Sequence, residues 1–97
     1  MSAITLNGQI KKIFDERRIS ERFNTREFVL LTESDSPYPQ SILLTLVNQN
    51  CDLIIGKHPG DKVQCNINIK GREHSGPNGT RYYNTIECWR IYKDEAE

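Results

Sequence analysis

The side chains best suited to chemistry in this sequence are cations interleaved with rings. Arg17, Arg18, Arg22 and Arg26 fall in one stretch with Phe23 among them; Lys70, Arg72 and Arg81 fall in another with His74 and Tyr83. Guanidinium and ammonium groups neutralise phosphates whatever the sequence, and aromatic faces stack on any base. Together they are the ingredients of a surface for single-stranded nucleic acid. Each charge also has a plainer role as solvated surface, so the decision rests on what positions them.

The overall charge argues for moderation. Thirteen basic residues balance 13 acidic ones to a formal net charge of zero, which excludes a strongly basic nucleic-acid binder. Positive charge is confined to two segments. Residues 11–26 add Lys11 and Lys12 to the four arginines against Asp15, Glu16 and Glu21, and residues 57–81 add Lys57 and Lys62 against Asp61 and Glu73. Between them, residues 27–56 hold acids and not one lysine or arginine. Only a fold that brings the two segments together would make them one surface.

Other chemistries find little support. Cys51, Cys65 and Cys88 are an odd set without C-x-x-C spacing, which speaks against a disulfide framework or a structural zinc site. Cys65 and Cys88 lie in apolar runs, where a reduced thiol serves as a small hydrophobe. His58 and His74 stand apart from them. No nucleophile elbow, P-loop, zinc-protease helix or deaminase motif occurs, so neither an enzyme nor a cofactor is expected. Asn78-Gly79-Thr80 spells a glycosylation sequon but reads here as a turn.

The 97 residues suffice for one domain, expected over 1–93 with a frayed acidic end at 94–97. Ile4, Leu6, Gly8 and Ile10 alternate with polar residues, a strand with one buried face, and Gly8 inside it signals a bend or a close backbone approach. Residues 15–25 lack an apolar stripe and read as a long charged loop. Strands follow at 26–32 and 40–47 around the proline-punctuated Ser34–Pro39. Residues 48–55 read as a short helix, with Asn48 or Asn50 as its cap, Asp52 in its first turn and Gly56 as its end. Val63, Cys65, Ile67 and Ile69 then mark the clearest strand. Residues 71–80 read as a polar loop with Pro77-Asn78-Gly79 as turn chemistry, and 81–93 as the longest strand. Tyr82 and Tyr83 must point to opposite faces, which places one of them in the core; Trp89 is expected in the core or a subunit contact.

Five strands with one short helix between the third and fourth is the layout of the OB-fold, an all-β barrel whose second and third strands form the binding face. Its groove is flanked by the first-to-second and fourth-to-fifth strand loops. Those loops correspond to 15–25 and 71–80, which lie in the two basic segments.

The last third resembles the bacterial single-stranded DNA-binding protein family and its small relative, the primosomal replication protein PriB. Lys70-Gly71-Arg72, the polar hairpin with Gly79, and Arg81-Tyr82-Tyr83-Asn84-Thr85 are similar to that family's G-R-x hairpin and R-Y-T-T strand. Gly60-Asp61-Lys62-Val63 resembles its strand entry. Most of the chain is also similar to a small, functionally uncharacterised bacterial OB-fold family, through Arg26-Glu27-Phe28-Val29-Leu30, Asn48 through Leu53, Gly71-Arg72-Glu73-His74 and Tyr82-Tyr83-Asn84-Thr85. Both families often carry a hairpin tryptophan where this sequence has His74, and imidazole is a smaller platform than indole. The acidic tail by which single-stranded DNA-binding proteins recruit partners is reduced to Asp94-Glu95-Ala96-Glu97.

These readings converge on a module that binds single-stranded nucleic acid, DNA rather than RNA, with little sequence preference and in a replication or repair setting. Its contacts would be Arg17, Arg18, Arg22, Phe23, Arg26, Lys70, Arg72, His74, Arg81 and Tyr83. Phe23 competes for a role as a plug of the barrel end. A homodimer is expected, because one barrel offers a site of only about 4–16 nucleotides. The rival reading is a protein-interaction module using the same barrel surface. No apolar stretch approaches the roughly 18 residues of a membrane span, and Met1-Ser2-Ala3 opens without a signal-peptide pattern, so a cytoplasmic protein is expected.

Overall fold

The period-two runs fold as strands whose apolar positions face one interior. The computed structural model describes residues 4–33 and 36–93. It contains β1 (Ile4–Ile13), β2 (Arg17–Ser20), β3 (Phe23–Thr32), β4 (Gln40–Val47), β5 (Lys62–Gly76) and β6 (Gly79–Lys93), with a 3-10 helix over Asn48–Ile54 between β4 and β5. The expected acidic end at 94–97 and the Met1-Ser2-Ala3 start lie outside the described residues. No helix among the described residues is long and apolar enough to cross a membrane.

Five strands close a mixed barrel in the order β1, β3, β4, β6, β5 and back to β1, the expected OB-fold. β1 makes closure possible by serving two neighbours. Its first half, Ile4 to Gln9, pairs with β5, and its second half, Gln9 to Ile13, pairs with β3 across an irregularity between Ile10 and Lys12. Gly8 sits where the strand turns from one partner to the other. A Cβ there would lie 2.5 Å from the Leu31 carbonyl oxygen and 2.9 Å from Leu30 Cγ, so the close approach foreseen for this glycine is real. The last seam is the parallel bridge between Thr45 of β4 and Glu87 of β6.

The interior is filled from every wall. Ile10, Phe28, Leu30, Leu44, Leu46 and Val63 are all at most 1% exposed, and Ile91 joins them from β6. The 3-10 helix closes one end with Cys51 and Ile54. All three thiols are free and buried, so Cys51 shares the core role foreseen for Cys65 and Cys88. The hydrogen bond to the Cys88 sulfur, together with burial, pushes the Cys65 thiol well above the ordinary range. In β6 the register slips: Asn66 faces Arg90 while Ile67 faces Cys88, leaving Trp89 unpaired in a bulge. That extra residue lets Cys88 and Ile91, three apart, both point inward. It also leaves Trp89 half-buried, its indole Nε1 enclosed without a hydrogen-bond partner.

Several local expectations need correction. The segment 15–25 is not one long loop. β2 folds back on β3 with Arg17 opposite Thr25 and Arg18 opposite Asn24, and β3 begins at Phe23. The absence of an apolar stripe reflects an exposed edge strand, which needs none. The segment 71–80 is likewise ladder, paired continuously down to Gly76 opposite Gly79, with Pro77-Asn78 alone at the turn. The helix is of the tight 3-10 kind. It starts after Val47 without a side-chain cap and has no acid in its first turn. Asn48 adopts φ 52° instead, and its Oδ1 accepts a bond from the Asn24 backbone N–H (3.1 Å). Gly56, at φ 85°, follows as foreseen in the left-handed region.

Candidate nucleic-acid interface

Beyond the barrel, β5 and β6 continue as a two-stranded arm. From Ile69 to Gly76 and from Gly79 to Thr85 every residue is exposed. Directly opposed residues of an antiparallel ladder project to the same side, so the register sorts the arm into two faces. One carries Lys70 with Thr85, Arg72 with Tyr83, and His74 with Arg81; the other carries Ile69 with Ile86 and Glu73 with Tyr82. Both tyrosines are exposed, Tyr83 by 51% and Tyr82 by 72%. The expectation that one of them enters the core fails because the arm has already left the barrel at that height.

The first face overlooks a groove of about 800 Å³ between the arm and the outer surface of β3 and β4. Phe23, Thr25 and Glu27 line it from β3, Thr45 and Val47 from β4, and Lys70, Arg72, His74, Tyr83 and Glu87 from the arm and its base. Its floor is a cross-strand row. Glu27 faces Thr45, Thr45 faces Glu87, and Glu87 faces Asn68. Lys70 Nζ lies 3.9 Å from Glu87 Oε1. A second concavity of about 220 Å³ at the tip is framed by His74, Arg81, Tyr83 and the turn.

The ten sequence-derived contacts therefore divide. Phe23, Lys70, Arg72, His74 and Tyr83 share the groove, and Arg81 shares the smaller concavity with His74 and Tyr83. Phe23 is 40% exposed and lines the groove wall. Arg17 stands opposite Thr25 and so projects to the groove side of β2. The remaining three are occupied or turned elsewhere. Arg26 shares the inward parity of Phe28 and Leu30 and is half-buried, its Nε donating to the Phe14 carbonyl (2.8 Å). Arg18 Nη2 donates to the Glu21 carbonyl (2.9 Å), and Arg22 lies in the β2–β3 turn. Strand parity explains the division, since neighbours in a strand face opposite ways.

Sequence reasoning missed the floor. Thr25, Glu27, Thr45 and Val47 alternate with the buried Phe28, Leu44 and Leu46 on the two strands expected to form the binding face. Their parity was a readable signal. Glu87 depends on the β4–β6 bridge, a non-local pairing that no local pattern announces. Among the described residues, no cluster of three or more histidine, cysteine or carboxylate side chains could hold a metal ion.

Comparison with known proteins agrees with this architecture. Residues 5–92 match the family model described as "Domain of unknown function (DUF3127)". The chain belongs to that family. No curated protein sequence matches the DUF3127 chain. Among solved structures, it is similar to the mitochondrial single-stranded DNA-binding protein Rim1 of S. cerevisiae, with a TM-score of 0.71 at 13% identity over 95% of this chain and 93% of the other. A selenomethionine-labelled crystal structure of Rim1 gives a TM-score of 0.70 at 15% identity, with the same coverage. At such identities the likeness shows the shared OB-fold of the DUF3127 chain and Rim1, and nothing of its ligand.

Proposed function

We propose that this chain binds single-stranded nucleic acid, DNA in preference to RNA, in the groove between the β5–β6 arm and the β3–β4 face. The observation that carries this reading is the array on the arm. Arg72 faces Tyr83 and, two residues on, His74 faces Arg81, so each row holds one cation and one ring. Successive rows on one face lie about 6.8 Å apart. That is roughly twice the ~3.4 Å rise of stacked bases, so neighbouring nucleotides would be splayed, with phosphates on the guanidiniums and bases on the rings. Catalysis has no part in it. The neutral net charge implies modest affinity with strong salt sensitivity, because counterion release is the main driving term. The likeness of Rim1's fold adds support, as does the resemblance of residues 60–87 to the bacterial and PriB-like proteins of replication and repair, and action in the cytoplasm accords with it.

The opposite face of the arm favours a protein contact as well. Ile69 and Tyr82 are 61% and 72% exposed there, and a two-stranded ribbon gains stability from being covered. A second copy of this chain is the occupant in our reading, forming the expected homodimer. Light scattering of wild type and Ile69→Asp tests the pairing; a monomeric wild type overturns it. The binding itself is tested by fluorescence anisotropy of a labelled oligothymidine. Binding at low salt that collapses at moderate salt is expected. No binding at low salt with micromolar protein overturns the reading and leaves the barrel surface as a protein-interaction module.

A further inference from the structure

We infer that the groove floor favours bases carrying an exocyclic amino group, cytosine above thymine. This rests on the single-strand reading above and deepens it. The floor row places Glu27 and Glu87 on either side of Thr45, one strand apart in each direction. Both glutamates and Thr45 line the groove, while its lining cations, Lys70 and Arg72, stand on the arm, with Arg81 beyond them at the tip. A phosphate lowered onto the floor would meet two carboxylates. The same phosphate against the arm meets guanidinium. The charge layout thus fixes which way the strand faces: backbone along the arm, base edges toward the floor.

Base edges then meet acceptors. An ionised carboxylate can only accept hydrogen bonds, and the threonine hydroxyl turns to suit its neighbour. Cytosine presents its N4 amino group, the donor with which glutamate and aspartate pair in base recognition, whereas thymine presents the O4 acceptor at that position. Lone pair would face lone pair. Lys70 Nζ stands 3.9 Å from Glu87 Oε1, beyond hydrogen-bond length, so the carboxylate's lone pairs remain open to a base. Aromatic stacking on the arm treats the bases alike, so discrimination falls to the floor residues.

The test compares oligodeoxycytidine and oligodeoxythymidine of equal length, by anisotropy near neutral pH and low salt, on wild type, Glu27→Gln and Glu87→Gln. In wild type the cytidine strand is expected to bind about tenfold tighter, as one well-made base contact allows. In the glutamine variants the ratio should shrink toward one, chiefly through tighter thymidine binding, because an amide can turn its NH2 toward O4. Matching urea midpoints for the isosteric variants show that folding is intact. Wild-type protein that binds the thymidine strand as tightly as the cytidine strand, or tighter, overturns this inference and leaves the single-strand reading standing. A preference that survives in both variants overturns its assignment to the glutamates. Failure to bind either strand overturns both readings.

Discussion

Arg72 and Tyr83 stand directly opposite one another across the β5–β6 ladder, so a guanidinium and a phenol ring share the face that overlooks the groove. Removing the ring should matter to binding and not to folding. Tyr83→Ala is expected to weaken oligothymidine binding by about 1–3 kcal/mol, the range for one stacked base. Tyr82→Ala, on the other face, should leave affinity for the strand within twofold, a margin below roughly 0.5 kcal/mol. Equal losses in the two variants, measured by anisotropy, would refute the sorting of the arm into two faces.

The cations of the same array make a separate prediction. Arg72→Ala combined with Arg81→Ala should flatten the dependence of log K on log salt by about 1.4, since each phosphate contact to a single strand contributes about 0.7. The midpoint of urea unfolding should not move. A salt slope identical to wild type would mean that neither arginine touches phosphate.

His74 faces Arg81 across the arm and lines both concavities. It occupies the place where similar families often carry an indole. His74→Trp is therefore expected to tighten oligothymidine binding about tenfold, within the energy range of stacking on one base. Weaker binding in a variant whose unfolding is unchanged would show that the ring at this position serves another purpose.

Arg26 should behave in the opposite way to Arg72. Its Nε bond to the Phe14 carbonyl fastens the β1–β2 connection to β3, and a charge-assisted bond of this kind contributes about 1.5–3 kcal/mol. Arg26→Ala should lower the urea midpoint accordingly while leaving the salt slope of binding intact. Loss of affinity at unchanged stability would restore it to the binding surface.

Gly8 gives the largest expected effect on folding. A methyl group 2.5 Å from the Leu31 carbonyl oxygen must push apart two strands at the point of barrel closure. Overpacking of this order costs about 1–3 kcal/mol. Chemical denaturation of Gly8→Ala checks it; a midpoint equal to wild type would mean that β1 can shift freely.

What the sequence disclosed, and what it withheld, follows one physical division. The alternation in Val63, Cys65 and Ile67 and the run through Phe28 and Leu30 follow from burial, which has a period, so the walls of the barrel were legible. Gly8 was legible because a missing side chain inside a strand has few reasons. β2 and the outer half of the arm resemble loops in sequence because exposed ladders carry no apolar period: Arg17–Ser20 and Arg72–Gly76 look like any polar segment until a partner strand is known. The same limit explains the site. Phe23, Lys70, Arg72, His74 and Tyr83 could be picked by residue type, whereas Arg26 was picked by type and redirected by parity. Glu87 was invisible because its position in the floor depends on a bridge between residues 45 and 87.

The Ile69–Ile86 pair marks the boundary between two regimes of change. Below it, side chains of β5 and β6 interlock with Ile10 and Leu44 in a closed volume, where each substitution must respect its neighbours' shapes. Above it, every residue of the ribbon is exposed in the single chain and answers only to what it binds. Descendants of this gene can therefore rewrite the contact rows one position at a time, revising what they hold while inheriting the vessel unaltered.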